Sequence, residues 1–134
     1  MFCKAAPNST GNPGMIGADG SPSVARQWVT LQAWDLPQKK FAYFVTSESS
    51  TYHPSYLGSG GNLCLGGKLI RFASGGQILF TGSTGSVSLD LDLDNLPKGI
   101  SFDPGDTWYF QLWYRDKGPL NTSNFSHGLE VLFR

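Results

Sequence analysis

Hydrophobic and polar residues alternate along this chain in short runs. The clearest is SVSLDLDLD (86–94), where Val87, Leu89, Leu91 and Leu93 alternate with Ser and Asp. A period of two puts the apolar set on one face of a strand and the polar set on the other. VARQWVTLQAW (24–34) alternates as well: Val29, Leu31 and Ala33 share one side, and Trp28, Thr30, Gln32 and Trp34 share the other. FAYFVTS (41–47) is rich in β-forming residues. NLCLGGKLIRF (62–72) reads as a strand interrupted at Gly66-Gly67 by a bulge or turn. Residues 14–18 and ILFTG (78–82) are weaker candidates, and LEVLF (129–133) is the last. Residues 48–61 read as a long loop, and residues 1–14 as an extended N-terminal arm. No window keeps a helical period over three turns. The expected fold is therefore all-β, an antiparallel β-sandwich of about eight strands, jelly-roll or Ig-like, with residues 1–134 as one domain.

The most informative strand is DTWYFQLWYRD (106–116). Trp108, Phe110, Leu112 and Tyr114 fall on one parity and read as core. Tyr109, Gln111, Trp113 and Arg115 fall on the other. Rings interleaved with an amide and a guanidinium suit a sugar-binding face, where aromatics stack on C–H faces and polar groups bond hydroxyls. They equally suit a central strand covered on its second side by a loop. Trp28 and Trp34 form a second stripe, about 20 Å long on an extended strand. It is a second ligand candidate, or packing under the 48–61 loop and its Tyr52 and Tyr56. VTLQAWDLP (29–37) before FAYFV and VSLDLDLDNLP (87–97) before WYFQLWY also echo one another, and read as two similar solutions to one packing problem.

Composition narrows the class. The chain has 134 residues, 10 basic and 10 acidic residues and a formal net charge of zero, with 17 glycines and only 15% charged residues. A neutral chain lacks the basic footprint of a nucleic-acid binder. No apolar stretch is long enough to span a membrane as a helix. No leader is visible, and Met1 directly before Phe2-Cys3 reads as a domain cut from a longer precursor. Cys3 and Cys64 lack CxxC spacing and a neighbouring His, so they read as one disulfide rather than a metal or redox site. Closing that loop would stabilise the fold by about 4 kcal/mol in the chain-entropy model. It implies an oxidising compartment.

Other candidate chemistry is sparse. Asp90, Asp92 and Asp94, with Asp103 and Asp106 nearby, form a weak calcium candidate. A linear DxDxD on a strand does not converge on a point, and a solvated face that resists edge pairing fits it better. His53 and His127 lack spaced partners for metal or triad work. No catalytic or cofactor signature is present. The reading is therefore not an enzyme, and no cofactor is expected. Asn8, Asn121 and Asn124 fit the N-glycosylation pattern, which matters only in a secretory eukaryotic host. GLEVLF resembles part of a protease tag whose Gln is Arg134 here, and LEVLF reads as a native strand.

CKAAPNSTGNPG, NLCLGG, PGDTWYFQLWYRD and NFSHGL occur in that order. In this the chain resembles the Cys- and Gly-rich domain near the C-termini of large secreted proteins of planctomycetes and related bacteria. The TW-x-FQ-x-WYRD strand is the most specific element. The resemblance implies Cys3 and Cys64 as the disulfide pair, and Trp108, Phe110, Gln111, Trp113, Tyr114, Arg115 and Asp116 as the signature. It implies an extracellular accessory or anchoring module and supplies no catalytic residues. Members often carry a further Cys after the final strand, which this chain lacks. The expected function is a non-catalytic extracellular module, secreted or at the cell surface. It would bind a polysaccharide or cell-surface component through Tyr109, Gln111, Trp113, Arg115, Trp28 and Trp34, beside other domains of a larger secreted protein. The alternative is a structural or adhesive module that makes protein–protein contacts.

Overall fold

The structure is a computed structural model, and it describes residues 2–19, 28–54, 56, 59–116 and 123–134. Within these, eleven strands form antiparallel sheets: β1 (Met15–Asp19), β2 (Trp28–Trp34), β3 (Phe41–Ser47), β4 (Ser49–His53), β5 (Leu63–Gly66), β6 (Ile70–Phe72), β7 (Leu79–Phe80), β8 (Val87–Asp92), β9 (Thr107–Arg115), β10 (Ser123–Phe125) and β11 (Leu129–Leu132). Helical structure among the described residues is of the 3-10 kind, as short turns at Gly75–Gln77 and Pro97–Gly99 and at Tyr56. The fold is all-β and antiparallel, with one disulfide between Cys3 and Cys64.

Two sheets enclose the main core. One is three-stranded, in the order β1-β2-β8. The other runs β10-β9-β3-β6, with β11 also on β9 and β7 also on β3. Alternation dictates what lies between them. Val29, Leu31 and Ala33 of β2 and Val87 and Leu91 of β8 meet Ala42 and Phe44 of β3 and Trp108, Phe110, Leu112 and Tyr114 of β9. Each such large side chain removed from water contributes about 1.5–3 kcal/mol. Phe102 stacks on Phe133 at 4.5 Å and closes one end of this layer. Val131 and Phe133 are buried there, so the C-terminal LEVLF segment belongs to the fold.

The strand count differs from about eight for a physical reason. β10 and β11 lie along the same edge of β9, pairing with Trp113–Arg115 and with Thr107–Phe110. Between them, residues 127–128 turn their backbone to the N-terminal segment. Phe2 and Gly128 exchange backbone hydrogen bonds, and His127 N donates to Gly14 O. Gly128 is required here, because a Cβ would lie 2.5 Å from the Phe2 ring. β6 and β7 are likewise two pieces of one row along β3. The expected strand at 62–72 divides at Gly67, whose φ is +60°, and its halves join different sheets.

The expected loop at 48–61 contains a strand. β4, SSTYH, pairs with β5 although every residue of it is exposed. It buries no apolar face, so it carries no alternation to read. The β4–β5 pair lies over the outer face of β9 and β3. Val45, Leu63, Leu65 and Phe125 form a second, smaller core there, with Tyr43, Tyr56, Tyr109 and Trp113 against it. β9 is thus covered on both sides along most of its length.

The N-terminal segment folds back on itself through a Pro7–Pro13 bridge. Buried Asn8 holds it down: its Nδ2 donates to Tyr114 Oη (3.1 Å) and Asp35 O (2.8 Å), and its Oδ1 accepts from Thr10 N. Burial raises the Tyr114 hydroxyl above the ordinary tyrosine pKa, against the lowering effect of the Asn8 hydrogen bond. His127 Nδ1 accepts from Ala5 N at 2.8 Å.

Gln111 sits between the two cores with no exposed surface. Its Oε1 accepts from Cys64 N at 2.8 Å, and its Nε2 donates to Asn62 O at 3.0 Å and Ser126 O at 2.8 Å. Replacing Gln111 with Ala strands two buried backbone groups and one half-buried one, each buried group costing about 1–3 kcal/mol. The expected loss is about 3 kcal/mol or more in urea unfolding, and a loss below about 1 kcal/mol would show that this amide is not a structural joint.

Candidate functional site

The outer face of the larger sheet carries the candidate site. Residues of one parity on β3 (Phe41, Tyr43, Val45) and β9 (Tyr109, Gln111, Trp113, Arg115) share that face. The register sets Tyr43 opposite Trp113, and their rings stack at 4.9 Å with an interplanar angle of 19°. Arg115 places its guanidinium carbon 5.2 Å from the Trp113 ring centroid. Beside this stack opens a cleft of about 320 Å³. Arg71 of β6, Tyr56, Ser59 and Ser123 supply its polar groups, and Leu63, Leu69 and Phe125 its apolar wall.

The structure treats the expected site residues differently. Trp113 and Arg115 line the cleft. Tyr109 is half-buried on the same face and meets Phe2 edge-on at 5.1 Å, away from the cleft lining. Gln111 is a correction: its buried amide is committed to Cys64, Asn62 and Ser126, so it offers nothing to a ligand. Trp34 is 39% exposed, but on the outer face of the three-stranded sheet, where it covers Gly17. The main core lies between it and Trp113, so the two cannot share one ligand patch. The backbone of Trp28 pairs with Asp92, and its side chain lies outside the described residues. Neither tyrosine of the 48–61 segment covers Trp34: Tyr56 packs on the second core, and Tyr52 is exposed.

The aspartates do not form a calcium site. β8 ends at Asp92, so Asp94 does not extend the strand face. Asp92 accepts from Asp94 N and from Asn95 Nδ2, which fixes the turn after the strand. Asp90 accepts from Thr30 Oγ1 at 2.7 Å, and Asp103 and Asp106 brace the turn before β9. Among the described residues, no three His, Cys, Asp or Glu side chains gather as metal ligands would. Asn8 and Asn124 are buried with their amides engaged, so neither is presented as a glycosylation acceptor in the folded protein, and Asn121 lies outside the described residues.

Phe41, Phe80, Tyr43 and Arg71 escaped the sequence reading, and Tyr56 entered it only as a cover for Trp28 and Trp34. Phe41 and Phe80 are 58% and 52% exposed and face each other across β3 and β7 with centroids 5.1 Å apart. Phe41 shares parity with Tyr43, and that was its only signal. Arg71 is visible in sequence only as the one polar residue of LIRF, and nothing local pairs it with Val45, its cross-strand partner.

The TW-x-FQ-x-WYRD signature becomes legible as a fold signature. Trp108, Phe110 and Tyr114 are core, Gln111 is the joint, and Trp113 and Arg115 form the stack. Asp116 Oδ1 accepts from Ser9 N at 3.1 Å, tying the N-terminal loop to the strand end. No protein-family model matches the chain, and no curated protein or solved structure matches it either. Among the described residues, no helix is long and apolar enough to cross a membrane.

The two tryptophans separate by stability. Trp113→Ala removes a stacked ring and its cation partner, and about 2–3 kcal/mol should be lost in urea unfolding. Trp34→Ala should cost about 1 kcal/mol or less. The reverse order would place Trp113 outside the structural stack.

Proposed function

We propose that the chain is a non-catalytic, extracellular carbohydrate-binding module whose site is the cleft beside Tyr43 and Trp113. One observation carries this reading. Half-buried aromatic rings and apolar side chains line one open cleft together with two guanidinium groups, two phenols and two serines. Sugars present alternating C–H and hydroxyl surfaces, and such a mixed lining complements both. Phe41 and Phe80 lie on the same face and extend the aromatic strip beyond the cleft. Among the described residues, the cleft lining holds no carboxylate and no imidazole. Glycoside hydrolysis ordinarily needs a carboxylate pair, so the lining favours binding over cleavage. The Cys3–Cys64 disulfide supports an oxidising, extracellular setting. The likeness of the 108–116 strand to the accessory domain of secreted planctomycete-type proteins supports the same role.

Retention on insoluble polysaccharides tests this. The protein should be retarded by at least one of a panel containing cellulose, chitin and a pectate gel. Phe41→Ala and Trp113→Ala should each weaken retention about tenfold, whereas Trp34→Ala, on the far sheet, should not. Indifference of the whole panel, or a Trp113→Ala variant that is folded and binds as well as the parent, would sink the proposal.

A second reading rests on the exposed edge at β7. Ile78 and Phe80 are both 52% exposed, next to Phe41 at 58%. An apolar patch on a sheet edge suits protein–protein assembly. That reading expects self-association that rises with concentration in light scattering and is lost in Phe80→Ser. A monomer at millimolar concentration removes it in its self-associating form.

A further inference from the structure

We infer that the ligand of the cleft is an acidic polysaccharide, recognised through carboxylates spaced along its chain. This rests on the cleft being the binding site, and names the chemistry it selects. The basis is a local charge imbalance. The whole chain has zero net charge, yet among the described residues its cleft is lined by Arg71 and Arg115 and by no acidic residue. Both guanidiniums belong to exposed residues, and no Asp or Glu is among the described residues that line the cleft with them.

The positions across the ladder from them carry no charge. Arg71 lies across from Val45 on β3, and Arg115 lies across from Ser123 on β10. Asp116 follows Arg115 directly but has the opposite parity, and its carboxylate accepts from Ser9 N. Two like charges thus face one cleft, with no acidic side chain among its described lining residues. An anion entering the cleft would meet both.

The arrangement selects for geometry as well as sign. Arg115 lies over the Trp113 ring, which occupies its flat face. The N–H groups project from the edge of the guanidinium plane, so stacking leaves the fork free to meet a carboxylate in bidentate fashion. The strand rise and spacing put the Cα atoms of Arg71 and Arg115 about 16 Å apart, at opposite corners of the Tyr43–Trp113 pair. Long side chains shorten that span. It suits a ligand with repeated charges separated by apolar sugar faces, such as a chain of hexuronate residues, better than a single small carboxylate. The rings contact the sugar faces, and the arginines hold acids at either end.

The test compares polygalacturonate with its fully methyl-esterified form, which keeps the sugar backbone and removes the charge. Affinity is measured by calorimetry on the whole chain, with thermal unfolding as the fold control. Polygalacturonate should bind at least tenfold more tightly than the ester, and that preference should shrink as salt rises from 50 to 500 mM. Arg71→Gln and Arg115→Gln should each weaken polygalacturonate binding about tenfold. Neither should weaken binding to the ester as much, and Arg115→Lys should restore only part of the loss. Equal binding of acid and ester, with indifference to both substitutions, would overturn the acidic ligand while leaving a neutral-sugar cleft intact. Preference for poly-glutamate or a single-stranded oligonucleotide over polygalacturonate would also overturn it. Binding of neither galacturonan, together with no retention on the polysaccharide panel, would overturn the cleft reading itself.

Discussion

The carboxamide of Gln111 is the joint on which the outer half of the molecule depends. β9 is covered by the main core on one side and by β5 on the other, so a polar side chain at its centre must be satisfied from within. Gln111 meets that constraint by bonding Cys64 N, Asn62 O and Ser126 O. Three consequences follow. β5 is fixed at its distance from β9. The sulfur bridge, whose Cα atoms are 6.2 Å apart, ties the N-terminus to that same strand. The carbonyl at the break between β10 and β11 acquires a partner just where the ladder is interrupted. Leu63 and Phe125, which wall the cleft, stand on the strands so anchored.

The same joint explains why a strand dense in aromatics stays ordered on both faces. Its inner face is a continuous apolar row. Its outer face mixes a buried amide, half-buried rings and an exposed cation. Polar groups there divide by depth: Gln111 is consumed internally, while Arg115 lies at the strand end where β5 no longer covers it. The site thus begins where the cover stops.

Much of the fold was legible because burial on one face imposes a period of two. Val29, Leu31 and Ala33, and then Trp108, Phe110, Leu112 and Tyr114, are core as their parity predicts. β4 was illegible because a fully exposed strand has no reason to alternate. β10, SNF, is short, and its central Asn is buried by virtue of bonds to Phe125 N and Pro7 O. The site was half legible. Parity put Trp113 and Arg115 together, but it also drew in Gln111, since polarity alone does not tell a solvated amide from a satisfied one. Arg71 and Phe80 reach the site through pairings on β3 that join distant segments, and no local pattern encodes those.

The repeated phrase in the sequence, an alternating strand, Leu-Pro, then an aromatic strand, has a place in the architecture. β2 and β8 are partners in the smaller sheet, and β3 and β9 are partners in the larger. Each repeat crosses once from one sheet to the other, so the two repeats form paired arches. Neither arch can close on itself, because its two strands belong to opposite layers. Leu31 must find Leu89, and Phe44 must find Leu112. Nucleation therefore demands two long chain closures at once, a topology of high contact order and slow assembly. A bridge already formed between Cys3 and Cys64 shortens that search, because it delivers β5 and the N-terminal segment to the arches as one unit.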